Sequence, residues 1–302
     1  MKGLGVRAAS GAVLLAVVIA AIWLQGLLLM VCIVVAAGFA AHEFYSVVRR
    51  AGYKPWYLAG VPLALLLALR GYPEGNLISG VPYVGPSVAA EVLVFVLAVF
   101  FALAREGLYR RVSLLAARAE GSPAGTADAP ERSPYLAWSD LGLTLAGAVY
   151  AGGLIGYAPL LAAEAERTEA GSAFAWLLLV LLGTAACDTG AYFAGSLLGR
   201  RKLIPHISPA KTWEGLAGGT LGAVVAALAF SGLLGLSMPI AVVLGLVVCA
   251  AAVCGDLCES LLKRAAGVKD SGHVIPGHGG VLDRIDSILF VLPAVYWFAQ
   301  VT

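Results

Sequence analysis

Charge is what this chain has least of. Of its 302 residues, 13% are charged and 60% are apolar. A soluble domain carries about 25% charged residues, so a soluble globular protein is excluded, and length gives no domain count. The net charge of +2 gives no ground for a nucleic-acid partner. Paired metal-binding cysteines are missing as well. Cys32, Cys187, Cys249, Cys254 and Cys258 all lie in apolar segments and form no C-x-x-C pair. Cys254 and Cys258 stand four apart with no second pair, which excludes a structural zinc site and leaves small buried apolar residues. A Walker phosphate loop is absent too, because Pro276-Gly277-His278-Gly279-Gly280 lacks the G-K-[ST] ending. Finally, the first half holds no polar set to match the carboxylates of the second. Ion-coupled transporters place broken helices at corresponding positions of two repeats, so this asymmetry argues against one.

What is present is a series of apolar runs. They predict an all-α polytopic membrane protein of about nine transmembrane helices: Ala8–Leu24, Leu27–Ala41, Tyr57–Leu69, Val88–Ala104, Tyr135–Ala163, Ala173–Leu198, Trp213–Leu234, Pro239–Leu262 and Val281–Gln300. The first two read as a retained hairpin rather than a signal peptide, and both are short against the roughly 20 residues a span needs. The fifth is long and Gly-rich and is expected to tilt or break. With nine spans, one set of connections holds Lys2 and Arg7, Arg49–Lys54, Arg105–Arg132, Arg200–Lys211 and Lys263–Lys269. The other set holds only Arg70 and Arg167. The positive-inside rule then puts the N-terminus in the cytoplasm and the C-terminus outside, in an inner membrane of bacterial type. Residues 1–134 form the N-terminal spans, with a loop near 119–134 too small, polar and Pro-rich to fold. Residues 135–302 form a second, catalytic bundle.

One polar stretch interrupts that bundle, from Asp256 to Asp286, on its expected cytoplasmic side. Ionisable groups near lipid are expensive and functional by default. Asp256 lies near the C-terminal end of the eighth helix, where the macrodipole disfavours anions. The nearest cation on its stripe is Lys263, so it needs another positive partner, and a metal ion is expected. Glu259 either pairs with Lys263 at i, i+4 or lines the site. Asp283 and Asp286 open the ninth helix one turn apart. Asp283 is read as a metal ligand, and Asp286 as a ligand or a group that orients one. Asp188, about 15 Å from the basic loop at helical rise, pairs across the bundle or lines a polar cavity. Ser208 reads as an N-cap and Pro209 as a first helical residue, which sets Lys211 in a first turn suited to phosphate. His278, between glycines, is a candidate phosphate contact. Glu214, His206 and His273 have no assigned role.

Four segments carry a resemblance. CDTGAYFAGSLLGR, SPAKTWEG, GDLCESLLKR and KDSGHVIPGHGGVLDRIDS, within Leu178–Ser287, resemble the motifs of the phosphatidate cytidylyltransferases. The first half matches only as generic apolar spans. The resemblance implies the reaction CTP + phosphatidate → CDP-diacylglycerol + diphosphate, with Mg²⁺ and room for a second cation. It maps metal carboxylates to Asp256 and Asp283 and implies catalytic roles for Lys211 and Asp286. Substrate contacts fall at Ser208, Lys211, Lys263, Arg264, Lys269, His278, Gly279, Arg284 and Asp188. Relatives often carry a second lysine where this chain has Ala210. The family's fold implies a helical bundle with a polar funnel, often a homodimer, in contact with membrane lipids. A sister enzyme acting on an ether phospholipid is the alternative.

Overall fold

The structure is a computed structural model that describes residues 2–70, 75–78, 81–83, 134–168, 172–275 and 279–302. The expected span Val88–Ala104, the loop up to Ser133 and His278 lie outside the described residues. The order is α1 (Lys2–Leu24), α2 (Gly26–Arg50), α3 (Tyr57–Leu69), β1 (Gly75–Ile78), β2 (Val81–Tyr83), α4 (Pro134–Ala148), a π-helical turn (Val149–Gly153), α5 (Tyr157–Thr168), α6 (Ala173–Leu198), β3 (Lys202–Ile204), β4 (Ser208–Thr212), α7 (Trp213–Phe230), α8 (Met238–Ala265) and α9 (Leu282–Ala299). The β-structure among the described residues is two short antiparallel hairpins, β1–β2 and β3–β4, and an isolated bridge between Ile275 and Gly279. Five helical segments there are long and apolar enough to cross a membrane: Gly26–Arg50, Trp138–Ala165, Ala173–Leu198, Trp213–Phe230 and Met238–Ala265.

Two expectations are corrected. The second helix does not stop at Ala41 but runs on to Arg50. His42 and Glu43 end the apolar run, yet neither breaks a helix, and the next glycine is Gly52, at φ 91°. Ser208 and Pro209 do not start a helix either. Ser208–Thr212 pairs with Lys202–Ile204 as a strand, consistent with the extended backbone that proline imposes on the residue before it. The cap of α7 is Thr212, whose Oγ1 accepts from the Gly215 N–H at 3.0 Å. The Gly-rich fifth segment does break, at the π turn and Leu154–Gly156.

Small residues set how closely the helices approach. A Cβ on Gly190 would strike the Gly218 carbonyl, and one on Gly222 the Ala186 carbonyl. The pairing runs in opposite senses along α6 and α7, so they form an antiparallel hairpin, packed backbone to backbone as small-residue membrane helices are. In α8, Gly245 faces Val224 of α7 and Gly255 faces Asp286 and Ser287 of α9. Among the N-terminal elements, Tyr45 donates to the Thr144 carbonyl at 2.6 Å, and the Lys54 N–H to Asp140 Oδ1 at 2.6 Å. One apolar core extends from Ala21 to Val295 and includes Trp176, Leu179, Leu244 and Leu289. It crosses the boundary expected near residue 134.

Candidate active site

A cavity of about 560 Å³ opens where α6, β4, α8 and α9 converge. Its walls include Asp188 and Tyr192 from α6, Lys211 from β4, Asp256 from α8, and Asp283 and Asp286 from α9. Each arrives there for a local reason. The β3–β4 hairpin carries Lys211 to the residue before the α7 cap. Gly255, where a Cβ would lie 2.5 Å from the Asp286 carbonyl oxygen, lets α8 and α9 cross closely enough to bring their acids together.

Two lysines organise the charges. Lys211 Nζ lies 2.5 Å from Asp256 Oδ2, with the side chains 20% and 37% exposed. Asp256, expected to face a metal ion, is here paired with a lysine from another element. Asp256 Oδ1 also accepts from Ser260 Oγ at 3.3 Å. Lys263 Nζ lies 2.5 Å from Glu259 Oε2, one helical turn away, and 2.9 Å from Asp283 Oδ1. Glu259 is 1% exposed. The oxygens of Asp283 accept further from the backbone N–H of Ser271 at 3.1 Å and of Gly280 at 2.9 Å. Gly279 takes φ +84°, and a Cβ there would sit 2.9 Å from Asp283 Oδ2. The backbone of Gly279, expected at the substrate, lies here against Asp283.

Behind these pairs, Asp256, Glu259 and Asp286 each offer an oxygen within 4.8 Å of the others. Glu259 Oε1 is buried and has no hydrogen-bond partner among the described residues. A buried carboxylate oxygen without a donor is costly, and three hard oxygen donors at this spacing suit Mg²⁺ or a similar cation. The residues present therefore fit a divalent ion. Asp283, expected as the second ligand, is not one of this trio; it shares Lys263 with Glu259.

Of the remaining candidates, Ser208 lines the cavity. Arg264 Nε donates to the Ile207 carbonyl at 3.4 Å, which ties the end of α8 to the β3–β4 turn. Lys269, Arg284, His206 and His273 are exposed. Glu214 receives the backbone N–H groups of Arg200 and Arg201 at 3.1 and 3.3 Å, so it fixes the start of the hairpin. Sequence reasoning passed over Glu43 and Ser271. Glu43, 1% exposed, accepts from Ser271 Oγ at 3.1 Å and from the N–H groups of Val281 and Leu282. The available signal was an acid, in AAHEFY, that continues an apolar helix.

Comparison with known proteins adds to the geometry. A sequence model described as the cytidylyltransferase family matches residues 5–302. A phosphatidate cytidylyltransferase of Haemophilus influenzae is 46% identical over 128 residues, 40% of this chain and 44% of the relative. One of Bacillus subtilis is 52% identical over 112 residues, 36% of this chain and 42% of the relative. One of Staphylococcus aureus is 45% identical over 120 residues, 39% and 46% respectively. The chain thus spans less than half the length of these curated relatives in each match.

Proposed function

The chain belongs to the cytidylyltransferase family, and on that premise we propose that it transfers CMP from CTP to phosphatidate, releasing diphosphate. The observation that carries this reading is the pairing of Lys211 with Asp256 on the wall of a cavity that also holds Asp286, with Glu259 behind. Both substrates are anionic, so their mutual repulsion is a large part of the barrier. Lys211 leaves Asp256 and turns to the triphosphate, a small movement for a side chain at the cavity surface. Asp256 is then free to act with Glu259 and Asp286 as an oxygen-donor set for Mg²⁺. When bound there, the ion supplies neutralisation of the triphosphate and of the leaving diphosphate. Asp283 holds Lys263 against Glu259 and so maintains the charge balance of the trio. Arg264, Lys269 and Arg284 are proposed contacts to the substrate phosphates, while Lys263 is held between Glu259 and Asp283.

An ionised phosphate oxygen of the lipid attacks the α-phosphorus of CTP, and the bond from that phosphorus to the β-phosphate oxygen breaks. The nucleophile is already deprotonated at neutral pH, so no strong general base is required. Lys211 and the carboxylate set act by orienting the two phosphates and by offsetting their charge.

The reading includes nine spans with the site facing the cytoplasm, where CTP is, supported by the segregation of basic connections. In intact cells, cysteine in Gly125→Cys should resist a membrane-impermeant thiol reagent, and a cysteine added after Thr302 should react. The reverse pattern overturns the orientation. For the reaction, purified protein in detergent is given labelled CTP and phosphatidate. The expected product is a CDP-lipid with an equal amount of diphosphate, lost with EDTA and restored by Mg²⁺. Release of CDP and inorganic phosphate would overturn the assignment. Preference for an ether-linked phosphate lipid in the same assay would move it to the sister reaction.

A further inference from the structure

Glu43 belongs to α2, yet its carboxylate accepts from the segment before α9 and from the first residue of that helix. Ser271 Oγ donates to it at 3.1 Å, the Val281 N–H at 3.0 Å and the Leu282 N–H at 2.7 Å. Two glycines press their backbone against the carboxylate. A Cβ on Gly272 would lie 2.5 Å from Oε1, and one on Gly280 would strike Oε2. The first N–H groups of a helix need acceptors, and α9 has no side-chain cap from its own N-cap residue, Val281. Glu43 supplies that cap from a different helix, more than 200 residues away in sequence.

The consequence reaches the cavity through Ser271. Its hydroxyl donates to Glu43 and its N–H to Asp283. Asp283 holds Lys263, and Lys263 holds Glu259. The consecutive N–H groups of Gly280, Val281 and Leu282 are divided between Asp283 and Glu43. A helix N-terminus with free N–H groups draws phosphate. Here those groups are committed to carboxylates, so the start of α9 is a fixed support rather than an anion site.

We propose that Glu43 is a positioning residue for the transfer reaction. It anchors Ser271, Gly272 and Gly280–Leu282, and through Ser271 and Asp283 it sets Lys263 against the Asp256–Glu259–Asp286 trio. The N-terminal helices thereby take part in turnover. This inference rests on the function proposed above for the same site.

The test uses full-length Glu43→Gln, Ser271→Ala and the double variant, purified in detergent, with two readouts. Glu43→Gln keeps the size of the side chain but turns an amide NH₂ toward donors. It should lower kcat by about tenfold or more, because buried donors lose their acceptor, while KM for CTP stays within about twofold. Hydrogen exchange of the 271–282 backbone should speed up, and that of Trp213–Phe230 should not. Ser271→Ala should shift both readouts in the same direction by less. The double variant should be no worse than Glu43→Gln alone, because coupled residues are not additive. Faster exchange with wild-type kcat would reduce Glu43 to a helix cap and overturn the proposal. Unchanged exchange in 271–282 would also overturn it. If Glu43→Gln does not fold, wild-type kcat in Ser271→Ala decides against the proposal. A wild-type protein that forms no CDP-lipid would instead defeat the assigned reaction, and the exchange result would stand on its own.

Discussion

Lys211 and Lys263 each hold a carboxylate at 2.5 Å, but in different surroundings. The Lys211–Asp256 pair is open, with side chains 20% and 37% exposed. Lys263, itself 15% exposed, stands between Glu259 and Asp283, which are 1% and 8% exposed, so the two pairs differ in their carboxylates. An open pair contributes about 0–1 kcal/mol to stability and separates easily. A closed one contributes little net stability but is severely damaged when one member is removed. The two lysines are therefore suited to different work. Lys211 can exchange its carboxylate for a substrate phosphate, whereas Lys263 is part of the wall against which that exchange occurs.

The largest expected effect tests the acids on either side of this contrast. Asp256→Asn should cut turnover by about a hundredfold or more, the scale of several kcal/mol of lost charge stabilisation. Its thermal stability should hold or rise without Mg²⁺, because a repelling charge has gone. Asp283→Asn should also cut turnover, but with a clear loss of stability, because Lys263 loses its anionic partner and one of the two acceptor oxygens becomes an NH₂ donor. Activity assays and thermal unfolding of both variants, in monodisperse protein at saturating Mg²⁺, check this. Equal stability changes in the two would erase the distinction between an open and a closed site.

Next comes Lys263→Met, which leaves Glu259 buried and unpaired. The expected loss is about 3–5 kcal/mol in unfolding free energy, the range for breaking a buried pair from one side. Adding Glu259→Gln and Asp283→Asn to Lys263→Met should restore much of it. If Lys263→Met is as stable as the wild type, the closed pair is not closed.

The contrast between the lysines was only partly legible in the sequence. Apolar runs end at glycines and charges, so the expected bounds of α3 and α6 coincide with those observed, and α7, α8 and α9 differ by a few residues. The polar stretch and its motifs pointed to Asp188, Lys211, Asp256, Asp283 and Asp286, which share one cavity. Their pairing was not legible. It depends on how α8 crosses α9 at Gly255 and on where the β3–β4 hairpin delivers Lys211, and both are contacts between distant segments. Ser208 and Thr212 are both plausible caps, and only the pairing of β4 with β3 selects Thr212. Glu43 was missed because its partners begin 228 residues downstream.

Lys211→Met probes the open pair directly. Loss of a charge-assisted contact that is also made in the ground state should raise KM for CTP roughly tenfold or more, for about 1.5–3 kcal/mol. Stability should change little, as befits a pair open to solvent. If KM for CTP is unchanged while stability falls, Lys211 belongs with Lys263 as part of the wall.

The smallest effect concerns what aims Lys211. It is followed by Thr212, which is 5% exposed and whose Oγ1 holds the Gly215 N–H at 3.0 Å. That bond starts α7 and ends β4 at the same residue, so it fixes the direction in which Lys211 leaves the strand. Thr212→Ala should cost about 1 kcal/mol as a lost N-cap. KM for CTP should rise less than in Lys211→Met, because the lysine is still present and only less well held. Thr212→Ser keeps the oxygen and should recover both losses. The methyl group also packs closely, since a Cβ on Gly199 would lie 3.0 Å from Thr212 Cγ2. If Thr212→Ser is as impaired as Thr212→Ala, packing against Gly199 rather than the cap aims the lysine. In that case the open pair depends on the α6–α7 contact as firmly as the closed pair depends on the approach of α8 to α9.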